Sequence, residues 1–348
     1  LQGELARAIA GQISIHLTPH EQARLTSRPI SPEAHDSYLK GRFHWHTRRT
    51  GWLPKSIEYF NQAIEKEPRF AFAYVGLADS YSVLARRSAG PQRKELEAQA
   101  CEAARKAIEL DDNLGEAHAS LARCENDWDW QKRERQFRRA LELSPGYAAA
   151  HQWYGGLLIK TGRFDEGLSE CRRAAELDPH SLTVNATLGW AFHEARQYDS
   201  AIRQLRLTID ERPNFVQPLV YLGMVYLAKA MYTDAINVLE NTVKLAGDAP
   251  VLLPQARVLL AHARARTGDN KEAQRLLDEF SKRKGIYPLV FSLLYMDVGD
   301  KDRAFEWLAK GVEERFGHVD ELKVEPLYDS LRSDPRFTAL LRKMNLAN

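Results

Sequence analysis

Between residues 148 and 213 apolar and small residues recur at helical spacing in two consecutive copies of one pattern. The first copy begins at Ala148-Ala149-Ala150-His151 and closes on Asp178-Pro179. The second begins at Leu182-Thr183-Val184-Asn185 and closes on Arg212-Pro213, so the closing prolines stand 34 residues apart. Tyr154-Gly155, Leu158, Gly167, Cys171 and Pro179 of the first are matched in register by Leu188-Gly189, Phe192, Ala201, Leu205 and Pro213 of the second. Each copy predicts two antiparallel helices. Gly155 and Gly189 on the first helix, with Gly167 and Ala201 on the second, are expected at the closest approach, where a larger side chain would force the pair apart. Gly162 suits a left-handed helix end, Phe164 and Tyr198 can pack across the turns, and Pro179 and Pro213 stop the second helices.

Weaker copies flank this centre. On the N-terminal side Tyr38, Leu39 and Gly41 pair with Ser56, Phe60 and Ala63, followed by Tyr74, Leu77-Ala78 and Tyr81. Extra residues from Arg86 to Glu95 read as an inserted turn. A third copy has His118, Leu121-Ala122, Phe137, Leu141 and Pro145, with the turn Asp127-Trp128-Asp129-Trp130. In that turn Asp129 is expected to cap the following helix and the tryptophans to wedge between repeats. Later copies keep Leu222-Gly223, Tyr226, Ala235 and Leu239, then Leu260-Ala261, Gly268, Ala273 and Leu277, then Tyr295, Gly299, Ala304 and Leu308. One helical pair of this size cannot bury its own apolar face, so neighbours must stack. Beyond residue 315 the pattern lapses into Val324-Glu325-Pro326-Leu327-Tyr328, and a last helix over 336–344 is expected to cover the open apolar end.

A period of 34 residues and these positions closely resemble the tetratricopeptide repeat, over residues from about 35 to 315. The resemblance implies an all-α fold: a right-handed superhelix, or solenoid, of about eight repeats with a C-terminal capping helix. The expected division is 1–30 as the end of an upstream segment plus linker, 31–315 as the repeat array, and 316–348 as the cap. The ends carry a narrower likeness. ELARAIAGQISIHLTP from Glu4, EAHDSYLKGRFHW from Glu33 and LRSDPRFTALL from Leu331 resemble the C-terminal half of large bacterial signalling proteins. There a TolB-like segment precedes the repeats, and the head is a winged-helix DNA-binding domain, a Ser/Thr kinase or a nucleotide cyclase. This implies a regulatory or sensory half with a missing N-terminal effector domain in cis. The alternative is a substrate-recruiting region of a kinase or cyclase.

Repeat proteins of this family bind protein or peptide ligands in the concave groove, mainly through the first helix of each repeat. Carried onto this chain, the groove positions are Arg123 and Asn126, then Gln152, Trp153 and Lys160, then Trp190, His193 and Glu194. Gln217, Tyr221 and Met224 follow, and then Gln255, His262 and Arg266. The Lys and Asn clamp by which one branch holds a terminal carboxylate is missing, since Gln152 and Gly156 stand at two of its places. An extended or helical peptide anchored by apolar side chains fits better. The aromatic residues among these positions can equally serve only to pack neighbouring repeats.

Composition narrows the rest. Lys plus Arg number 49 against 47 Asp plus Glu, so the chain as a whole has no charge excess for nucleic acid, and no nucleic-acid contact is expected. The basic runs Lys132, Arg133, Arg135, Arg138 and Arg139, and Arg86, Arg87, Arg93 and Lys94, are interspersed with Glu and read as solvated faces. No 18-residue apolar run predicts a membrane span. A cytoplasmic location is expected, or an extracytoplasmic one if a membrane helix precedes Leu1. Cys101, Cys124 and Cys171 are odd in number and far apart, without CxxC, and are expected as helix packing residues rather than a disulfide framework or zinc site. Neither His44-Trp45-His46 nor His16 with His20 has a patterned partner, so no metal and no cofactor is expected. The phosphate-loop, GxSxG, HExxH and GxGxxG motifs do not occur, which makes catalysis by these residues an unfavoured reading.

Overall fold

The apolar stripes find partners by pairing in sequence order. The computed structural model describes residues 30–47, 51–86, 88, 90–125, 128–247, 252–281, 288–315 and 317–347. Among the described residues there are no strands, and sixteen helices form eight antiparallel pairs. They are α1 (Pro32–Thr47) with α2 (Trp52–Lys66), α3 (Ala71–Arg86) with α4 (Gly90–Leu110), and α5 (Gly115–Cys124) with α6 (Trp130–Leu143). Next come α7 (Ala148–Thr161) with α8 (Phe164–Leu177), α9 (Leu182–Glu194) with α10 (Tyr198–Glu211), and α11 (Val216–Ala228) with α12 (Tyr232–Ala246). The last are α13 (Leu252–Arg266) with α14 (Lys271–Ser281) and α15 (Pro288–Asp297) with α16 (Lys301–Glu314). Successive first helices also touch one another, as α7, α9, α11 and α13 do, so the pairs stack as a solenoid. The end of an upstream segment plus linker, expected over residues 1–30, lies outside the described residues but for Ile30.

Within each pair the small residues sit where the backbones meet. A methyl group on Gly155 would lie 2.9 Å from the carbonyl oxygen of Gly167 and 2.6 Å from Cys171 Sγ. In the next pair that space is filled from the other side by Leu205, which is fully buried beneath Gly189. The turn inside the fourth pair uses Gly162 at φ 90°, and the same position one and two periods later is held by Arg196 at φ 60° and Ala230 at φ 56°. Left-handed backbone at a non-glycine residue is strained, so the stacking on either side holds these turns in place.

Two expectations change. The residues expected as an inserted turn are helical from Gly90 on: α4 begins there, and the extra residues lengthen it to 21. Pro91 favours this, because the first turn of a helix needs no amide donor. Cys101 and Cys124 are not separate packing residues, since they form a disulfide with Cα atoms 5.4 Å apart. Packing of α4 against α5 brings together two positions 23 residues apart in sequence. Cys171 is a buried free thiol, which burial pushes up to about 12.

After α16 the chain forms a 3-10 helix at Gly317–Glu321, a second at Pro326–Leu331, and α17 (Pro335–Lys343). The last helix packs on α16: Arg336 pairs with Asp302 at 2.7 Å and lies 4.1 Å from the Phe305 ring centre. The segment then reaches much further than the last pair. Trp130 Nε1 donates to Met344 O at 2.7 Å, and Asn345 Nδ2 donates to Trp128 O at 3.2 Å. Asp129 does cap α6, accepting from the Lys132 amide at 2.9 Å. Its flanking tryptophans, however, are buried, and they bond to Met344 and Asn345, so the third pair is joined to the segment that follows α17.

Candidate functional site

Lys160, at the end of α7, points its ammonium into the solenoid, where it meets Asp320 at 2.6 Å and Glu321 at 3.5 Å. His193 Nε2, on α9, lies 3.3 Å from Glu325 Oε1, and Arg196 in the turn that follows pairs with Asp329 at 2.8 Å. Lys323 Nζ donates to Thr161 O at 3.0 Å. Four consecutive acidic residues of the C-terminal segment thus lie along the inner wall of the fourth and fifth pairs or beside it. Tyr328 anchors the far side, donating to Leu289 O of α15 at 2.7 Å. Arg332 holds the segment in shape through the carbonyls of Lys323 and Glu325.

The charges are strongly perturbed. Burial pushes the Asp320 carboxyl up, but Lys160 and the charge of Arg86 outweigh it and hold Asp320 at about 2. Glu321 is likewise lowered, burial being outweighed by His318 and Lys160. Glu194 goes the other way, well above the usual carboxylate range, because it is fully buried and faces the charges of Glu325 and Glu321.

The remaining candidate positions divide into those beside this segment and those that join repeats. Trp190 is buried among Ile159, Leu188 and Phe192, with Lys160 6.0 Å from its ring centre. Arg123 lies 4.5 Å over Trp153 and 3.7 Å from Asp79, which also accepts from Ser120 at 2.8 Å. Gln152 donates to Thr187 Oγ1 at 2.7 Å, a contact between the fourth and fifth pairs. Gln217 donates to the Tyr221 hydroxyl at 2.9 Å, and burial pushes that phenol up to about 12. Met224 is in the core, Gln255 is half-buried on α13, and His262 Nδ1 meets Asp297 at 2.7 Å between the seventh and eighth pairs. Arg266 leans on Tyr232, 5.9 Å from its ring centre, and Asn126 lies outside the described residues. A cavity of about 70 Å³ between α3, α4, α5, α6 and the first 3-10 helix is lined by Arg93, Arg123, Glu125, Arg133, His318 and Asp320. Arg93 is buried there and paired with Glu97 at 2.8 Å, so this part of the basic run does not form a solvated face.

Residues 134–181, from α6 through α8, match the family model described as tetratricopeptide repeat. The chain carries tetratricopeptide repeats. No curated protein matches it. Among solved structures, yeast Tom70 is 17% identical, with 92% of this chain and 69% of that one covered at a TM-score of 0.53. A human IFIT1 dimer with m7Gppp-AAAA is 14% identical, with 89% and 76% covered at a TM-score of 0.55. YrrB, described as a TPR protein with an unusual peptide-binding site, is 20% identical with 60% and 98% covered, at a TM-score of 0.39. At these identities the likeness to Tom70 and IFIT1 concerns the fold: an all-helical tetratricopeptide solenoid, a type of scaffold for protein–protein interaction. No helix among the described residues is long and apolar enough to cross a membrane.

Of the candidate residues, the tetratricopeptide array brings Lys160, Trp190, His193 and Glu194 together on its inner wall. The partners Asp320, Glu321, Glu325 and Asp329 carry no repeat signature. Their one sequence signal is the pairs Asp320-Glu321 and Glu325-Pro326, placed where helical spacing stops.

Proposed function

We propose that this tetratricopeptide array is a non-catalytic scaffold that holds an acidic protein segment against its inner wall. Residues 317–331 are the intramolecular form of that segment. The observation that carries this reading is the seating of Asp320, Glu325 and Asp329 on Lys160, His193 and Arg196. A partner of the same chemistry competes for those three side chains, so occupancy of the wall is set by how readily the chain's own segment leaves. The likeness at the chain ends extends the proposal to the regulatory half of a multidomain bacterial signalling protein. In that setting release of the segment is the event passed to an effector domain in cis.

The test is a charge swap in the full chain, read with a fluorescent peptide of sequence 317–332. Asp320→Lys with Glu321→Lys repels the internal segment from Lys160 and is expected to let the peptide bind in trans, with a Kd on the order of micromolar. Adding Lys160→Glu restores the internal pairing and abolishes peptide binding. If neither variant binds the peptide above the unaltered chain, the wall is not a docking surface for acidic segments.

A further inference from the structure

The contact between α9 and the C-terminal segment buries two carboxyl groups, Glu194 and Glu325, on either side of one imidazole. Glu194 is 0% exposed, and the one donor beside its carboxylate is the indole N–H of Trp190, which does not reach good hydrogen-bond geometry with either oxygen. Glu325 is 2% exposed, and its Oε1 already accepts from the Leu327 amide at 3.0 Å. The nearest cation, Lys160, is committed to Asp320 and Glu321, and His318 pairs with Glu321 at 2.7 Å. That leaves Glu194 and Glu325 with the imidazole of His193, which is 1% exposed and whose Nδ1 has no partner. An isolated carboxylate in such a place is strongly disfavoured, because the low-dielectric surroundings do not replace the water it has lost. Two of them side by side require a proton or a cation.

One atom from each of His193, Glu194 and Glu325 lies within 4.8 Å of the others. We propose that these three residues form a zinc site that staples the C-terminal segment to the fifth repeat. One imidazole nitrogen and two carboxylate oxygens are a donor set for a divalent first-row ion, with water completing four-coordination. Calcium and magnesium fit less well, since they take six or more oxygen ligands. Zinc bonds to nitrogen and oxygen of about 2.0–2.2 Å place neighbouring ligand atoms roughly 3.3 Å apart. The His193–Glu325 pair already has that spacing at 3.3 Å, and a side-chain rotation of Glu194 supplies the third bond. Because His193 and Glu194 lie on α9 while Glu325 lies beyond the repeats, the ion crosslinks the wall to the segment. Zinc would thereby close the groove.

This inference rests on the reading of residues 317–331 as a docked segment, and two independent readouts separate the two. The full chain is stripped with chelator, then titrated with zinc chloride by calorimetry and analysed for bound metal. The expected result is one zinc per chain, weakened about tenfold or more in His193→Gln, Glu194→Gln and Glu325→Gln. Glu194→Gln keeps the side-chain shape and stands in for the neutral carboxyl of the metal-free chain, so it separates loss of a ligand from loss of packing. Amide exchange over 317–331 is expected to slow on adding zinc to the unaltered chain and not to slow in Glu194→Gln. Equal zinc affinity in the chain and all three variants overturns the site. Absence of stoichiometric binding overturns it in favour of a shared proton. Binding at the site with unchanged exchange over 317–331 overturns the staple. Loss of trans-peptide binding in the charge-swap variant, with the zinc site intact, would instead count against the docking reading alone.

Discussion

Lys160 Nζ and Asp320 Oδ2 are 2.6 Å apart across 160 residues of sequence, and this contact seats the C-terminal segment inside the repeat array. Asp320 owes its depressed titration to that ammonium, which outweighs the upward push of burial. A carboxyl lowered on docking stabilises the docked state above the free-segment value and loses that contribution as pH falls through the docked one. The pair therefore holds the segment at neutral pH and down to about pH 4, and releases it as pH approaches 2. Protection of the amides over 317–331, taken relative to the intrinsic exchange rate at each pH, is expected to fall only below about pH 4. In Lys160→Met it is expected to be low already at neutral pH.

Trp130 Nε1 donates to Met344 O in a buried contact 2.7 Å long. Trp130→Phe keeps most of the ring but leaves that carbonyl without its donor, at an expected cost of about 1–3 kcal/mol in urea unfolding. The loss is expected to speed exchange at residues 344–346 before it affects the central repeats. Uniform acceleration would count against a local closure between the third pair and the segment that follows α17.

Two backbone positions should respond with opposite signs. Gly155→Ala sets a methyl group against the Gly167 carbonyl, and overpacking of this kind costs about 1–3 kcal/mol. Ala230→Gly relieves an exposed residue held at φ 56°, with an expected gain of about 1 kcal/mol. Chemical denaturation of both variants decides the matter. A stable Gly155→Ala would mean that the fourth pair tolerates a wider spacing than its geometry indicates.

The bridge from Cys101 to Cys124 makes a thiol count informative. Oxidised native protein is expected to show no reactive thiol, because Cys171 is buried and its thiol is pushed up to about 12. Denaturation without reductant should release one thiol, and reduction should release all three. Replacing both bridge residues with serine is expected to cost about 2–4 kcal/mol in unfolding free energy. Three thiols in unreduced, denatured protein would show that the bridge does not form.

The helical pairs were legible because each depends on residues close in sequence. Gly155 meets Cys171 and Gly189 meets Leu205 within one period, and the 34-residue recurrence repeats the same local contacts. Candidate wall positions followed from the same register, and Lys160, Trp190, His193 and Glu194 do gather beside one another. Their partners were not legible, since Asp320 and Glu325 lie where the pattern stops and nothing periodic marks them. The same limit hid the bridge between Cys101 and Cys124, whose meeting depends on how α4 lies against α5.

By itself the sequence determined the repeat unit, the number of pairs and the residues at their closest approach, because helical periodicity and nearest-neighbour packing act over a few turns. Only the tertiary structure decided that Trp130 meets Met344 and that Lys160 meets Asp320. Those contacts depend on the curvature accumulated from pair to pair, which sets where the segment after the last repeat meets the third and fourth pairs. Small angles summed over many interfaces leave no local mark in the order of amino acids.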